Sequence, residues 1–148
     1  ICEAAMHAAS LVANGFSIVT TLKRSIPALE ELAVKYGMSK QCHRVRAAEV
    51  PVLELENPES KATELIRVEI QKALDEDSSE AIVLGCAGMA DLATELSKEF
   101  CVPVIDGVTV AVKLIESLVA IGLQTSKRNG YAYPRTKSYL GLFKSFQP

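Results

Sequence analysis

The feature that most restricts how this chain can fold is an alternation repeated four times: a short apolar or β-branched run, then a stretch with helical spacing, joined by short turns. The runs are Phe16-Ser17-Ile18-Val19-Thr20-Thr21, Cys42 to Val50 ended by Pro51, Ala81 to Leu84, and Val102-Pro103-Val104-Ile105. In the second run His43, Val45 and Ala47 alternate with Arg44 and Arg46, whereas the third is apolar throughout, as a strand covered on both faces would be. Helical stretches are predicted over 3–13, stopped by Asn14-Gly15, and from Ser25 as N-cap with Pro27 in the first turn to Tyr36-Gly37. Further helices are predicted from Asn57-Pro58-Glu59 to about Asp75, over 89–99 and over 108–123. Strands separated by helices give an α/β chain, with a four-stranded parallel sheet flanked by helices on both faces.

Ligands of such sheets collect at the carboxyl ends of the strands. Three strand ends become candidates: Thr20-Thr21, Gly85-Cys86-Ala87-Gly88, and Asp106-Gly107. A thiol that faces a helix N-terminus sits where backbone N–H groups and the helix dipole favour the thiolate, and the glycines leave amides free for a developing oxyanion. Cys86 therefore reads as a base or nucleophile, with a small apolar filler as the equal alternative. Thr20 and Thr21 offer hydroxyls to a ligand or simply end a strand as β-branched residues. Asp106 reads as the cap of the helix that follows.

Charge narrows the partners. The net charge is -2, but Lys127, Arg128, Arg135, Lys137 and Lys144 stand in a tail without acids, so the body before it is acidic. An acidic body argues against nucleic acid as the partner. No apolar run approaches a membrane span and no secretory pattern is present, so a cytoplasmic protein without a membrane partner is expected. Cys2, Cys42, Cys86 and Cys101 are widely spaced and read as reduced thiols, Cys42 and Cys101 as structural ones. His7 and His43 lie on different elements with no third ligand in view, so no metal is expected. Two parts are expected: a lobe over 1–123 and an irregular, basic, aromatic segment over 124–148. The opening Ile1-Cys2-Glu3 has no initiator methionine and reads as a strand-to-helix junction, so the chain is expected to be the C-terminal part of a longer protein.

Ile82-Val83-Leu84-Gly85-Cys86-Ala87-Gly88-Met89 followed by Val102-Pro103-Val104-Ile105-Asp106-Gly107 resembles the second half of the aspartate/glutamate racemase superfamily, in its hydantoin and allantoin racemase branch. Glu3-Ala4-Ala5-Met6-His7 with Phe16 to Thr21, Val45-Arg46-Ala47 with Pro51-Val52-Leu53, and Ser126-Lys127-Arg128 with Tyr131, Pro134 and Arg135 resemble the same branch. The resemblance implies two pseudo-symmetric lobes, no cofactor, and one cysteine from each lobe, one thiolate removing a proton and the facing thiol returning one. It places Cys86 at the second-lobe position and implies substrate contacts from Thr20, Thr21, Gly85, Ala87 and Gly88. It gives Cys2 no catalytic role, puts the other cysteine upstream of Ile1, and makes the 124–148 segment pack on the missing lobe. The implied substrate is a small hydantoin-like molecule, and the full-length protein is expected to be a homo-oligomer. A decarboxylase or cis-trans isomerase of the same superfamily, and a non-catalytic α/β module that holds an anion beside an inert Cys86, are the alternatives.

Overall fold

A computed structural model of the chain describes residues 1–57 and 59–147. It divides into two compact units, Ile1–Glu116 and Ser117–Pro148. The first holds α1 (Cys2–Val12), β1 (Phe16–Thr20), α2 (Ile26–Lys35), β2 (Cys42–Ala47), α3 (Ala62–Glu76), β3 (Ala81–Leu84), α4 (Ala93–Phe100) and β4 (Val104–Asp106). A fifth helix, α5 (Gly107–Ala120), starts in the first unit and runs past its boundary. Among the described residues no helix is long and apolar enough to cross a membrane.

All four strands are parallel, in the order β2-β1-β3-β4. Every residue of the two central strands β1 and β3 is buried, which is why their sequences read as runs rather than alternations. One face packs Phe16, Ile18, Val45 and Val83 against Ala5, Met6 and Ala9 of α1 and Leu29 and Ala33 of α2. The other packs Val19, Ile82, Leu84 and Val104 against Ile66, Ile70 and Ala73 of α3 and Leu96 of α4. Each fully buried Ile or Leu contributes about 1.5–3 kcal/mol, so the two apolar layers hold the sheet between them.

Arg46, from the alternating strand, is buried at 9% exposure. Its guanidinium donates through Nε and Nη2 to both Asp77 oxygens at 2.6 Å and to Glu76 at 2.7 Å, while the Ser17 hydroxyl donates to Asp77 at 2.9 Å. Arg44 adds a contact to Asp77 at 3.3 Å. The network ties the end of α3 to β1 and β2 at the amino side of the sheet, and it holds the Asp77 carboxyl below the usual carboxylate range.

Several boundaries differ from those expected. Ser25 makes no side-chain cap, because a 3-10 turn over Lys23–Ser25 leads into α2. The second strand stops at Ala47 as the backbone turns left-handed at Glu49 (φ 56°). The third helix begins at Ala62, Val52–Glu56 forms a 3-10 turn instead, and Pro58 lies outside the described residues. The element after Cys86 is a 3-10 turn over Ala87–Leu92, and α4 starts only at Ala93. The last strand is Val104–Asp106, with Val102 and Pro103 before it, and α5 runs from Gly107 to Ala120 rather than to Leu123.

The second unit contains 3-10 turns over Asn129–Tyr131 and Gly141–Phe146. The Lys127 ammonium lies 4.9 Å from the centre of the Tyr133 ring, while Tyr131, Leu142, Phe143 and Phe146 are exposed.

Candidate active site

The chain leaves β1 toward β2 on one side and leaves β3 toward β4 on the other. The connecting helices α2 and α4 lie on opposite faces, so a crevice forms where the ends of β1 and β3 part. That switch point is where open α/β sheets place their ligands. Thr20-Thr21 and Gly85-Cys86 stand on its two sides, since Val19 and Leu84 are paired neighbours in the sheet.

The turn at Cys86 is built from the strand outward. The Gly85 N–H donates to the Val19 carbonyl at 2.8 Å, extending the β1–β3 ladder by one bond. Cys86 keeps an extended backbone (φ -140°, ψ 133°), and the Met89 N–H then donates to its carbonyl at 3.1 Å. Met89 is fully buried and pins the turn to the core. Among the described residues nothing accepts from the amides of Cys86, Ala87 and Gly88. Three N–H groups beside one thiol are thus available to a ligand oxygen. A 3-10 turn of six residues follows the cysteine where the sequence predicts an α-helix, so the individual amides matter here rather than a helix macrodipole.

Gly85 has a packing role. A Cβ there would lie 2.9 Å from Thr20 Cβ, 3.0 Å from Ile18 Cγ2 and 3.2 Å from Leu29 Cδ1. At Gly88 the same atom would meet Val52 Cγ1 at 3.3 Å and Leu55 Cδ1 at 3.4 Å, with Cys86 Sγ at 3.8 Å. Thr20 and Thr21 are buried, and the Thr20 hydroxyl donates to the Gly85 carbonyl at 3.4 Å, bracing the end of β1 against the turn. Asp106 is the helix cap that the sequence indicates: its Oδ1 accepts from Val108 N at 3.0 Å and Thr109 N at 2.7 Å, starting α5.

A recess of about 60 Å³ opens beside Cys86 and is bounded across from it by Ile1, Cys2, Ala5, Leu29 and Gly107. Sequence reasoning missed this wall. Leu29 and Ala5 carried only a helical core pattern, and Cys2 had no motif, so nothing local joined them to Cys86. Burial pushes the Cys2 thiol up, and it pushes Cys42 up to about 11, with the charges of Cys2 and Glu30 adding. A larger open groove of about 410 Å³ runs along β4 past Thr94, Ser97 and Lys98, and Cys86 is not among its walls. Among the described residues no three His, Cys, Asp or Glu side chains gather where they could hold a metal ion.

A parallel α/β lobe with a thiol at its switch point defines a class, and the sequence comparison agrees: residues 1–115 match the Asp/Glu/Hydantoin racemase family, to which this chain belongs. It is 50% identical over 141 residues to the hydantoin racemase of Rhizobium meliloti, covering 95% of this chain and 58% of that protein. It is 44% identical over 146 residues to the hydantoin racemase of Pseudomonas sp. (strain NS671), covering 99% and 59% respectively. The solved allantoin racemase from Klebsiella pneumoniae superposes with a TM-score of 0.90 at 50% identity, over 98% of this chain and 59% of that one. The chain therefore spans less than two thirds of the length of these relatives.

Proposed function

We propose that this chain is one lobe of a cofactor-independent racemase of 5-substituted hydantoins or allantoin, with Cys86 as one of its two proton-transferring thiols. The observation that carries the reading is the placement of Cys86 at the switch point with three unengaged amides beside it, in a chain of the racemase family. The C5 hydrogen of a hydantoin lies next to a ring carbonyl. When the Cys86 thiolate takes that proton, the electron pair moves onto the carbonyl oxygen as an enolate, and the amides of Cys86, Ala87 and Gly88 are the donors for it. Collapse of the enolate takes a proton at C5 from a thiol on the opposite face, supplied by sequence outside this chain. One proton leaves and one returns, so the reaction is redox-neutral. Thr20 and Gly85 hold the turn in place through the Thr20–Gly85 contact and the β1–β3 ladder, while the Thr21 carbonyl accepts from the Val50 N–H.

The body over 1–123 acts as the lobe, and the segment over 124–148 packs on a second lobe. The exposure of the large apolar side chains Tyr131, Leu142 and Phe143 supports that packing. The whole protein is read as a cytoplasmic homo-oligomer that acts on a small molecule, with neither nucleic acid nor membrane as partner.

The test follows deuterium exchange at C5 of a single-enantiomer 5-substituted hydantoin in heavy water, using the whole protein. Cys86→Ser lowers the exchange rate by at least about 10²–10⁴-fold, because a serine hydroxyl is a far poorer base than a thiolate, while the circular dichroism spectrum is unchanged. Unaltered exchange in Cys86→Ser removes this residue from the mechanism.

A further inference from the structure

Asparagine followed by glycine is a sequence in which the main chain can attack its own side chain. The glycine nitrogen adds to the asparagine Cγ, a cyclic imide closes as ammonia leaves, and water opens the ring at either carbonyl to give aspartate or isoaspartate. Glycine favours the step because no Cβ shields its nitrogen. The chain has three asparagines, Asn14, Asn57 and Asn129. Asn57 precedes Pro58, whose nitrogen carries no hydrogen and cannot close the ring. Asn14 and Asn129 both precede glycine, so the local sequence treats them alike.

Their surroundings differ. Both asparagines are exposed, so access of water does not separate them. The Asn14 N–H donates to Glu80 Oε2 at 2.8 Å, and its side-chain amide donates to the two Glu80 oxygens at 3.3 and 3.1 Å. The Gly15 carbonyl accepts from the Glu80 N–H at 3.0 Å. The His43 ring lies against Gly15, where a Cβ would fall 2.1 Å from its Cε1. Nitrogen and Cγ can meet at Asn14–Gly15 only after those contacts break. At Asn129 the side-chain amide has no partner among the described residues, and the Gly130 N–H has no acceptor among them. Apart from the chain neighbours, no described atom lies within 4 Å of the Cβ position at Gly130. Lys127 and Arg128 stand just before Asn129, and cations favour the anionic nitrogen that attacks.

We propose that Asn129 is a site of spontaneous covalent modification, converting to aspartate and isoaspartate through a cyclic imide, and that Glu80 and His43 hold Asn14 unconverted. The Gly130 proton leaves with the Asn129 Nδ2 group as ammonia, and one water enters when the ring opens, so no electron is gained or lost. The step is intramolecular and needs no enzyme to approach the tail. Its product is a carboxylate in a tail that otherwise holds Lys127, Arg128, Arg135, Lys137 and Lys144 and no acid. Isoaspartate also lengthens the main chain inside the 3-10 turn Asn129–Tyr131. That turn is closed by the Tyr131 N–H on the Arg128 carbonyl at 3.0 Å and the Ala132 N–H on the Asn129 carbonyl at 3.1 Å, and the added methylene breaks its register. The inference is independent of the racemase reading.

The experiment incubates the whole protein at mildly alkaline pH and follows the asparagine-containing peptides by mass spectrometry, with aspartyl and isoaspartyl products separated by chromatography. The Asn57 peptide supplies the background of direct hydrolysis. The Asn129 peptide is expected to convert at least about ten-fold faster than the Asn14 peptide, because several hydrogen bonds must first break at Asn14. In concentrated urea the two rates are expected to converge. Glu80→Ala is expected to speed conversion at Asn14 by about ten-fold and to leave Asn129 unchanged. Gly130→Val, on an exposed segment, is expected to slow Asn129 by about ten-fold by shielding the nitrogen. Should Glu80→Ala fail to fold, the comparison of folded and urea-treated wild type decides the matter. Equal rates in the folded protein, a ratio that persists in urea, an unmoved Asn14 rate in folded Glu80→Ala, or an Asn129 peptide that stays intact overturns the inference.

Discussion

Alanine should destabilise the fold at Gly85 and leave it nearly unchanged at Gly88, although the two glycines are three residues apart in one turn. Neither has a positive φ, so alanine is conformationally allowed at both, and loss of unfolded-state freedom alone would stabilise either variant by about 0.4–1 kcal/mol. Sterics decide the outcome. At Gly85 the new methyl would sit 2.9 Å from Thr20 Cβ and 3.0 Å from Ile18 Cγ2, atoms close to the backbone of the neighbouring central strand that cannot swing away. Overpacking of this kind costs about 1–3 kcal/mol, which leaves Gly85→Ala less stable by about 1–2 kcal/mol. At Gly88 the nearest atoms are the methyl ends of Val52 and Leu55 at 3.3 and 3.4 Å, on a surface turn that can yield, so Gly88→Ala should lie within about 0.5 kcal/mol of wild type. With an m-value of about 2 kcal/mol/M, urea midpoints of the two variants should differ by about 0.5–1 M in unfolding followed by circular dichroism. Because the strain at Gly85 is relieved by moving the strand end, it also displaces Cys86, and C5 exchange should fall about 10²-fold. Coincident midpoints for the two variants would show that β1 and β3 are not packed as closely at Gly85 as described, and the argument would fail.

Two further predictions concern stability. Asp77→Asn leaves Arg46 buried with weakened partners and should cost about 3 kcal/mol at neutral pH, somewhat less than complete isolation of a buried charge because Glu76 and Glu69 remain beside it. The Asp77 carboxyl is held low in the folded state, so its contribution is fully present above the unfolded carboxylate range and is lost as pH falls through the folded value. Urea midpoints of wild type and variant should accordingly converge only below about pH 4. Cys101 ends α4 in the left-handed region (φ 54°, ψ 30°) while exposed, so Cys101→Gly should raise stability by about 0.5–1 kcal/mol, read as an increase of a few degrees in Tm.

What the sequence made legible, and what it hid, follows the range of the forces involved. The two central strands are visible as runs because both faces of β1 and β3 are covered, and the cap at Asp106 is visible because a capping carboxylate acts on N–H groups two and three residues away. Arg46 shows the limit. Its alternation with Val45 and Ala47 is that of a polar face, yet it is buried because Glu76 and Asp77, some thirty residues on, meet its guanidinium. The wall of the recess is hidden for the same reason, since α1, α2 and β3 meet there only after the sheet has formed. The turn after Cys86 reads as the start of a helix because its composition suits one. Burial of Met89 and the bond from its N–H to the Cys86 carbonyl tighten it into a 3-10 form instead.

The unengaged amides of Cys86, Ala87 and Gly88 offer a readout that needs no turnover. An N–H without an acceptor inside the fold exchanges with solvent at rates near those of an open chain, even while the strand before it stays protected. In an amide-exchange experiment these three positions would stand as fast sites directly beside the slow ones of β3. Any ligand that places an oxygen on them must slow them, and the same ligand has no reason to alter the distant amides near Arg46. Occupancy of the site can therefore be followed residue by residue, without turnover and without knowing in advance which compound is bound.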